Sequence, residues 1–536
     1  MHMTPALSRL ASASATLLLA SVSLGSAALA QSVPAASGSV PSLASSDALQ
    51  TSLMESPWPR SHRTPGQQAA TPLLGPRGSS VEVRYFTEDI GTAVGTSPWH
   101  VLSSRKYAAR PDARTLWGAT LTHVYKYVLD GDLFSHADTF QINQAPLSVG
   151  WNLFRLPGDR IVVPNTTGLR MARYRDQLCY GKDPSLLVFQ DGSGPGSPIR
   201  CVHKFEFTKA RLEAACGFRK RLFGRTGIFT GELASGHVAV STVEKGTDRT
   251  GGEDVTHLMV LDPGLTRIVA CAEVGPTEPS NQFAVESNAG QRTHVYFATS
   301  LEVAKMTFDP TNDTLRKSAS VPLAFRERTG TAPTLVDTSD GRRWLVTVDS
   351  RCAVTNVFNG KIECSGSDAP SRLVAVDRAD MTARPLLVDL PDYIDTVENS
   401  PAVSGNDVVV ANYSGYSPDG RKDGRRDFAR GVVKLRWDGR TFRTAWERPD
   451  VQISGVPTIS SGSSLVYGSG AEVDGMTYFY GLDLLTGETR VRLPVGPSED
   501  TSKRLRDAVF DAGNNTVIND DGSAVFPGGN TLVRVR

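Results

Sequence analysis

The sequence lacks the features that mark several classes of protein. After residue 30, no stretch is long and apolar enough to cross a bilayer. Neither sign of charge is in excess, because 57 Lys and Arg oppose 56 Asp and Glu, giving a formal net charge of +1. This balance provides no overall field that would attract nucleic acid or anionic lipid. We therefore expect no nucleic-acid partner, no membrane span and a monomeric mature protein.

Familiar catalytic and metal-binding motifs are missing as well. None of the nine His lies in a His-x-x-x-His or His-Glu-x-x-His arrangement, and no Gly-x-Ser-x-Gly elbow occurs. The glycine-rich stretch 192–196 follows a strand pattern and has no helix behind it, so it indicates a hairpin turn rather than a phosphate cradle. His123, His257 and His294 lie in or beside predicted strands, where we interpret them as structural. We predict no metal site.

Cysteine is scarce, and its spacing excludes some uses. The six Cys include no Cys-x-x-Cys pair, which zinc or covalently attached haem would favour. An even number in an exported chain favours disulfides. Cys352 and Cys364 are predicted to close one surface loop, worth about 3 kcal/mol. The pairing of the other four stays open: Cys179, Cys201, Cys216 and Cys271.

The N-terminus has the order of a secretory signal. Arg9 precedes an apolar stretch around Leu17–Leu19, and Ala28-Leu29-Ala30 offers a small-x-small cleavage pattern. We predict that residues 1–30 are removed after Ala30 and that the mature protein is periplasmic or secreted. Residues 31–55 are rich in Ser, Ala and Pro and lack periodicity, which predicts a disordered leader. Folded structure is expected over residues 56–536.

Beyond the leader, short runs of β-forming residues alternate with Gly, Asp, Asn and Pro, which predicts an all-β fold. One strand signature recurs seven times: an apolar strand that ends in Asp and then turns. The Asp carboxylate can accept backbone N–H groups of the following turn. Each copy therefore indicates the outer hairpin of a four-stranded sheet. The seven aspartates are Asp130, Asp191, Asp262, Asp309, Asp377, Asp438 and Asp483.

A second element precedes several of these copies and joins Pro to a short apolar strand. Pro is tolerated at the start of a strand, where no ladder hydrogen bond is yet required. We predict that these segments are the innermost strands of propeller blades. They are Ser97–Trp99, Ala145–Leu147, Ala332–Val336, Ser400–Ser404 and Val456–Ser460.

The two ends of the chain complete the count. After the seventh Asp strand come strand patterns at 507–510, 516–518 and 531–535, and the chain stops before an outermost strand. The stretch 81–86 can supply that strand, which closes a ring and removes an exposed sheet edge. We predict a single β-propeller of eight four-stranded blades. Seven blades, a pair of β-sandwiches and a β-solenoid are the alternatives.

The stretch Tyr480–Glu488, with its Asp-Leu-Leu-Thr-Gly sequence, resembles the blade motif of the eight-bladed quinoprotein-like, or PQQ-repeat-like, propeller superfamily. In that family, Asp, Thr-Gly and a following Trp dock neighbouring blades. The lead-in from Ser56-Pro57-Trp58-Pro59 to Pro76 is similar as well, and the resemblance in pattern covers residues 56–536. Only Trp446 occupies the family's Trp position, and Val491 stands there in blade seven.

The resemblance does not extend to a quinone site. The sequence has no adjacent Cys-Cys pair of the kind that stacks on pyrroloquinoline quinone in the family's alcohol dehydrogenases. We therefore predict no bound cofactor, neither that quinone nor calcium.

A propeller offers a concave pocket where its inner strands begin. The polar and aromatic residues near those starts are our candidate ligand-binding set, although alternating Arg and carboxylates could equally form a structural ion-pair ring. This set comprises Trp99, His100, Trp151, Asn152, Arg225, Asn281, Arg328, Glu398, Asn399, Arg506 and Asp507. A basic insertion in blade six is either a solvated loop or an anion-binding lid. Its basic residues are Arg421, Lys422, Arg425, Arg426 and Arg430.

These observations favour an exported propeller that binds a ligand or a protein partner of the cell envelope or the extracellular space. An enzyme is the alternative, either a polysaccharide lyase or a quinoprotein-type oxidoreductase. Lyase chemistry needs a base near a cation that neutralises a carboxylate, and His100 with Arg506 would be that pair.

Overall fold

The computed structural model describes most of the chain from Gln68 onward. The described residues are 68–78, 80–85, 100–107, 110–119, 123–141, 153–158, 160–165, 177–179, 183–190, 192, 194–217, 229–244, 255–276, 282–287, 292–299, 301–323, 331–356, 361–364, 369–395, 397, 400–412, 430–453, 455–472, 474–497, 516–528 and 531–536. The predicted signal peptide and leader lie outside them.

Eight four-stranded antiparallel sheets form a ring, as the sequence predicts. Two short strands come first, β1 (Ala70–Thr71) and β2 (Val81–Tyr85). Blades one and two are β3 (His100–Tyr107), β4 (Arg110–Ala119), β5 (His123–Asp130), β6 (Leu133–Gln141), and β7 (Phe154–Leu156), β8 (Arg160–Asn165), β9 (Ser185–Gln190), β10 (Arg200–Glu206). Blades three and four are β11 (Phe229–Glu232), β12 (Val238–Glu244), β13 (Val255–Leu261), β14 (Ile268–Pro276), and β15 (Ala284–Glu286), β16 (Thr293–Ala298), β17 (Glu302–Asp309), β18 (Thr314–Pro322).

The second half of the ring continues the pattern with one insertion. Blade five contains β19 (Thr334–Asp337), β20 (Arg343–Asp349), β23 (Arg372–Asp377) and β24 (Leu386–Asp389), with an inserted hairpin of β21 (Cys352–Asn356) and β22 (Lys361–Cys364). Blades six and seven are β25 (Ala402–Ser404), β26 (Asp407–Ala411), β27 (Val432–Trp437), β28 (Phe442–Arg448), and β29 (Thr458–Ser460), β30 (Leu465–Ala471), β31 (Met476–Asp483), β32 (Thr489–Pro497). Blade eight combines β33 (Val517–Ile518), β34 (Ala524–Gly528) and β35 (Thr531–Val535) with β2 as its outermost strand.

Closure of the ring is confirmed by the pairing of the first and last segments. Strand β2 runs antiparallel to β35, with Val81 opposite Val535 and Tyr85 opposite Thr531. Backbone hydrogen bonds between Ser80 and Arg536 extend this ladder by one residue pair. The second strand of blade eight is Ala524–Gly528, which the sequence pattern alone did not reveal. The pattern at 507–510 lies outside the described residues.

The predicted inner-strand motifs are confirmed in blades five, six and seven. Pro333, Pro401 and Pro457 each stand directly before the first residue of a first strand, namely β19, β25 and β29. In blade two, the predicted segment 145–147 lies outside the described residues, and the first described strand is β7. Leu153 and Phe154 are buried there. Ser97–Trp99 lies outside the described residues, immediately before β3.

Antiparallel alternation gives the ring two unlike faces. The turns that join first to second strands and third to fourth strands share one face, which we call the turn face. The connections from second to third strands, and from each fourth strand to the next blade, share the opposite face, which we call the loop face. Both terms are used in this sense throughout.

Six of the seven predicted aspartates lie among the described residues, and each ends or directly follows the third strand of its blade, at the turn face. Asp191 lies outside the described residues. In five of the six, the carboxylate caps its own turn as expected. Asp262 accepts the backbone N–H of Arg267 at 2.8 Å, and Asp438 accepts that of Thr441 at 2.9 Å. Asp309, Asp377 and Asp483 make the same kind of contact. The hydrogen bonds that the Asp438 carboxylate accepts from the Thr441 N–H, the Arg443 side chain and the Arg440 N–H lower its pKa to about 2.

Polar contacts join every neighbouring pair of blades in addition to the apolar core between them. They link Lys126 to the Ser197 carbonyl, His203 to the Leu265 carbonyl, Arg267 to Asp313, Arg378 to Glu286, Trp437 to Asp340, Trp446 to the Leu484 carbonyl, Thr458 to the Thr516 carbonyl, and Arg534 to the Gly131 carbonyl. Around blade seven, Trp446 also packs on Gly487, where an added Cβ would meet the indole at 2.8 Å. Most of these contacts lie near the turn face, so that face is held in one arrangement.

Three disulfides brace the loops and outer strands. Cys352–Cys364 joins β21 to β22, as predicted, and the remaining pairs are Cys179–Cys201 and Cys216–Cys271. The last of these ties the helix α1 (Lys209–Cys216) to β14. Helix α1 begins at the N-cap Thr208, whose hydroxyl accepts the Arg211 N–H, and ends at Gly217 in the left-handed region.

The junction between blades four and five contains a buried ion cluster. Glu286 ends β15 and accepts hydrogen bonds from the Tyr296 hydroxyl at 2.7 Å and from Arg378 Nη1 at 2.7 Å. Arg378 also contacts Asp337, and Arg343 contacts Glu286. The side chain of Arg378 is only 1% exposed. One guanidinium therefore neutralises carboxylates from two blades.

Replacing this guanidinium tests how strongly the cluster holds the two blades. Arg378→Met should lower the free energy of unfolding by about 3 kcal/mol, because Asp337 loses the contact with Arg378 and Glu286 keeps only the half-exposed Arg343. Arg292→Met is the matched control, since Arg292 is 62% exposed in its pair with Asp309 and should cost less than about 1 kcal/mol. Chemical denaturation of both variants provides the measurement. Equal losses would contradict the assigned role of Arg378.

Candidate functional site

The candidate site is the loop face and the channel mouth at its centre. The long connections of the chain gather on this face because strand alternation sends them there. Examples are 166–184 between β8 and β9, 350–371 between β20 and β23, and 412–431 between β26 and β27. The turn face has short turns such as 405–406 and 438–441. Loops fixed on a rigid scaffold are where binding residues usually lie.

Most of the residues predicted for the channel mouth fall outside the described part of the chain. These are Trp99, Trp151, Asn152, Arg225, Asn281, Arg328, Glu398, Asn399, Arg506 and Asp507. In sequence, all of them precede the first strand of a blade. His100 is the first residue of β3, where its backbone pairs with Ala119. The proposed pair of His100 and Arg506 stays a prediction, because neither side chain is described.

The blade-six insertion also stays a prediction, since residues 413–429 lie outside the described range. Its base is described and is well ordered by hydrogen bonds. The buried Asn412 amide donates to the Arg430 carbonyl at 2.8 Å and also contacts the Tyr393 carbonyl. Its oxygen accepts the Asp395 N–H at 3.1 Å. Both ends of this basic insertion are therefore anchored to the connection between blades five and six.

The hairpin of β21 and β22 rises from the same region. The Cys352 N–H donates to the Asp395 carbonyl at 2.8 Å, and Arg351 lies 3.5 Å from the Asp395 carboxylate. The Arg351 N–H donates to the Ser371 hydroxyl at 2.9 Å. Asp395 thus supports two neighbouring elements of the loop face, a disulfide-bridged hairpin and the base of a basic insertion.

The channel is lined on one side by the chain's own N-terminal segment. Strand β1 pairs in parallel with β29, the first strand of blade seven, and adds a fifth strand to that sheet on the side of the axis. Gln68 reaches two further blades, donating from Nε2 to the Leu335 carbonyl at 3.3 Å and accepting the Val403 N–H at 2.8 Å. The inner edges of blades five, six and seven are therefore in contact with one short segment.

The sequence pattern did not reveal this segment as part of the channel and placed it only in a lead-in before the first blade. The available signal was weak: small residues at Ala69-Ala70-Thr71, followed by Pro72. Two residues are too short a run for strand periodicity to be visible. The residues of this segment are nevertheless buried: Ala69 is 1% exposed and Ala70 is 6% exposed.

The strand histidines are structural, as expected from the sequence. Burial lowers the pKa of both His123 and His294 to about 4. His294 Nδ1 lies 3.0 Å from the Thr307 hydroxyl in the neighbouring strand. His257 lies 3.4 Å from Glu244 in the adjacent strand, and burial outweighs that carboxylate to lower its pKa.

Among the described residues, no group of three or more His, Cys, Asp and Glu side chains is arranged to hold a metal ion. In the same part of the chain, no helix has the length and hydrophobicity needed to cross a bilayer.

The buried His123 should make stability depend on pH in acid. In the unfolded chain His123 binds a proton near pH 6.5, whereas in the folded protein it does so only near pH 4. The contribution of His123 to the free energy of unfolding is therefore fully present above pH 6.5 and is lost as the pH falls from 6.5 to 4. The loss attributable to this residue is about 3 kcal/mol. Denaturant unfolding of wild type and His123→Gln at several pH values isolates it, because the carboxylates titrate in both. Parallel curves for the two proteins would contradict this assignment.

Comparison with known proteins identifies no family. No protein-family model matches the chain, and no curated protein matches it significantly. Among solved structures, Sqt1 of Saccharomyces cerevisiae shares 9% identity over 86% of this chain and 99% of its own, with a TM-score of 0.44. A functionally unknown protein from Desulfotomaculum acetoxidans DSM 771 shares 8% identity over 74% and 95%, with a TM-score of 0.39. The Dos1 propeller shares 10% over 85% and 81%, with a TM-score of 0.32. The eight-bladed architecture of this chain rests on its own strand pairings.

Proposed function

We propose that this protein is an exported binding or interaction propeller whose ligand or partner contacts the loop face. The observation that supports the proposal most is the unequal distribution of chain between the two faces. Long connections rise from second and fourth strands on the loop face, while the opposite turns are short. A scaffold with variable loops on one side and compact turns on the other is typical of a protein that binds through the loops.

Several polar groups of the turn face are engaged within the ring. Five of its aspartates cap their own turns, and some are paired with Arg, as Asp438 is with Arg443 and Asp483 with Arg490 at 3.3 Å. Its carbonyls at Ser197, Leu265 and Leu484 accept side chains from adjacent blades. These groups are engaged in holding the ring together.

The loop face has rigid supports beneath its longest insertions. The Cys352–Cys364 hairpin and the base of the basic insertion share Asp395 as a hydrogen-bonding residue. Preorganised loops lose less conformational entropy on binding than free ones. The Arg residues of the insertion suit carboxylate, sulfate or phosphate groups. We therefore expect the loop face to recognise an anionic group on its ligand or partner.

Export is the second element of the proposal. Three disulfides form among the six Cys and leave none free. Disulfides persist in the periplasm and outside the cell and are rare in the cytosol. Together with the signal-like sequence that ends at Ala30, they support a periplasmic or secreted location.

Two variants of blade six, matched in charge but on opposite faces, test the proposal. The loop-face variant is Arg421→Gln/Arg425→Gln/Arg426→Gln, and the turn-face variant is Arg436→Gln/Arg440→Gln/Arg443→Gln. Each immobilised full chain is incubated with envelope extract and culture fluid of the producing organism, and captured molecules are quantified by mass spectrometry. The loop-face variant should recover them about tenfold less, equivalent to about 1.4 kcal/mol.

The turn-face variant should recover the same molecules within about twofold of wild type, since rim charges remote from an interface contribute little to affinity. Equal recovery by all three proteins, or a loss confined to the turn-face variant, would contradict binding through the loop face. Circular dichroism of both variants establishes that the ring is intact.

A further inference from the structure

We infer that the segment Gln68–Gly78 is an intramolecular peptide ligand of the propeller. It is held in a groove formed by the first two strands of blade seven and the turn between them. The inference is independent of the proposed function. It assigns a binding site for a short extended peptide with small residues at 69–71 and glycine at 75, which the chain fills with its own residues.

Backbone hydrogen bonds hold residues 69–71 of the segment against β29, as they would hold an additional strand of the sheet. The Ile459 N–H donates to the Ala69 carbonyl at 3.0 Å, and the Ser461 N–H donates to the Thr71 carbonyl at 2.9 Å. Main-chain bonds of this kind give affinity without depending on side chains, as in peptide recognition by strand addition. Neighbouring blades add the contacts of Gln68 described above.

Hydroxyl groups of blade seven hold residues 73–76 of the segment. Ser460 donates to the Leu73 carbonyl, the Gly75 N–H donates to Ser463 Oγ at 3.4 Å, and the Tyr467 hydroxyl donates to the Pro76 carbonyl at 2.8 Å. These side chains belong to the first and second strands of blade seven and to the turn between them. The groove thus has a polar floor that recognises the carbonyl groups of an extended peptide.

Steric fit limits side-chain size where the segment and blade seven approach each other most closely. An added Cβ at Gly462 would lie 2.2 Å from the Pro72 carbonyl oxygen, and one at Gly75 would lie 2.3 Å from the Tyr467 ring. Ala69, Ala70 and Thr71 are almost fully buried against the groove. Both the groove and the segment are therefore shaped for close approach of two backbones.

The direction of β1 shows how the segment passes through the ring. Since β29 runs from the loop face to the turn face and β1 is parallel to it, the chain runs along the channel from the loop face. It then passes the turn of blade seven and reaches the start of β2, the closing strand. The groove-bound residues and the closing strand are thus separate contacts, joined at residue 79.

A cut at residue 79 tests whether the segment behaves as a ligand. A protease recognition sequence is inserted there in the full mature chain, which is purified folded and then cleaved. We expect the N-terminal fragment to stay bound through size-exclusion chromatography and to exchange with an excess of a labelled synthetic peptide of residues 66–79. Immediate loss of the fragment from a propeller that stays folded would overturn the inference, as would unfolding on cleavage, which would make the segment integral to the fold.

Gly462→Ala is the variant that should weaken the groove, with at least about tenfold faster loss of the fragment after cleavage. Gly196→Ala is its control, because an added Cβ there meets nothing within 4 Å. Equal loss from both would overturn the assigned groove. Hydrogen exchange on the uncut proteins gives a second readout: the Ile459 and Ser461 amides should exchange faster in Gly462→Ala alone, and unchanged exchange there would also contradict the inference.

Discussion

The ladder between β2 and β35 is the contact on which the rest of the structure depends. It joins residues near the two ends of the folded chain, over Val81–Tyr85 and Thr531–Val535. An open row of sheets would leave a strand edge exposed and would leave blades one and eight without neighbours on one side. Once closed, the ring lets Arg534 of blade eight reach the Gly131 carbonyl of blade one at 2.9 Å. A closed channel exists only because this ladder forms.

Closure also explains why blade-docking contacts lie near one face and insertions on the other. Neighbouring blades must be docked at every junction, and contacts near the turn face achieve this with buried cations such as Lys126 and Arg378. Buried charges are costly unless they are paired and hydrogen-bonded, which restricts the sequence there. The loop face has fewer of the described contacts that dock neighbouring blades, and it accommodates insertions of very different length. This division is the physical basis for placing the binding surface among the loops.

Much of the fold could be predicted from the sequence because its signals are local. An Asp that caps its own turn needs only the next few residues, and seven such turns indicate the repeat and its outer hairpins. Pro401 and Pro457 likewise indicate strand starts through their own backbone chemistry. The closing strand could be predicted because an unpaired sheet edge is a liability wherever the ends of the chain lie.

Other features depend on contacts between residues far apart in sequence, and no local pattern reveals them. The place of Ala70 beside Ile459 is one example, and the pairing of Cys216 with Cys271 is another. The ion cluster of Glu286, Asp337 and Arg378 combines two strands and a turn from two blades. The candidate site is predicted least well, because its residues are in the connections rather than in the repeated strands. Position in the repeat gives the face on which those residues lie but not their chemistry.

A disulfide across the closing ladder tests the account most directly. Because Ser80 and Arg536 exchange backbone hydrogen bonds, Val83 and Val533 form a non-hydrogen-bonded pair, in which side chains approach closely enough for a disulfide. Peptide mapping by mass spectrometry of Val83→Cys/Val533→Cys should find these two positions cross-linked in the folded protein. In the control Val83→Cys/Val525→Cys the two positions are separated by two strand spacings, about 9–10 Å, and should not cross-link. Free thiols at 83 and 533 in folded protein would contradict a closed ring.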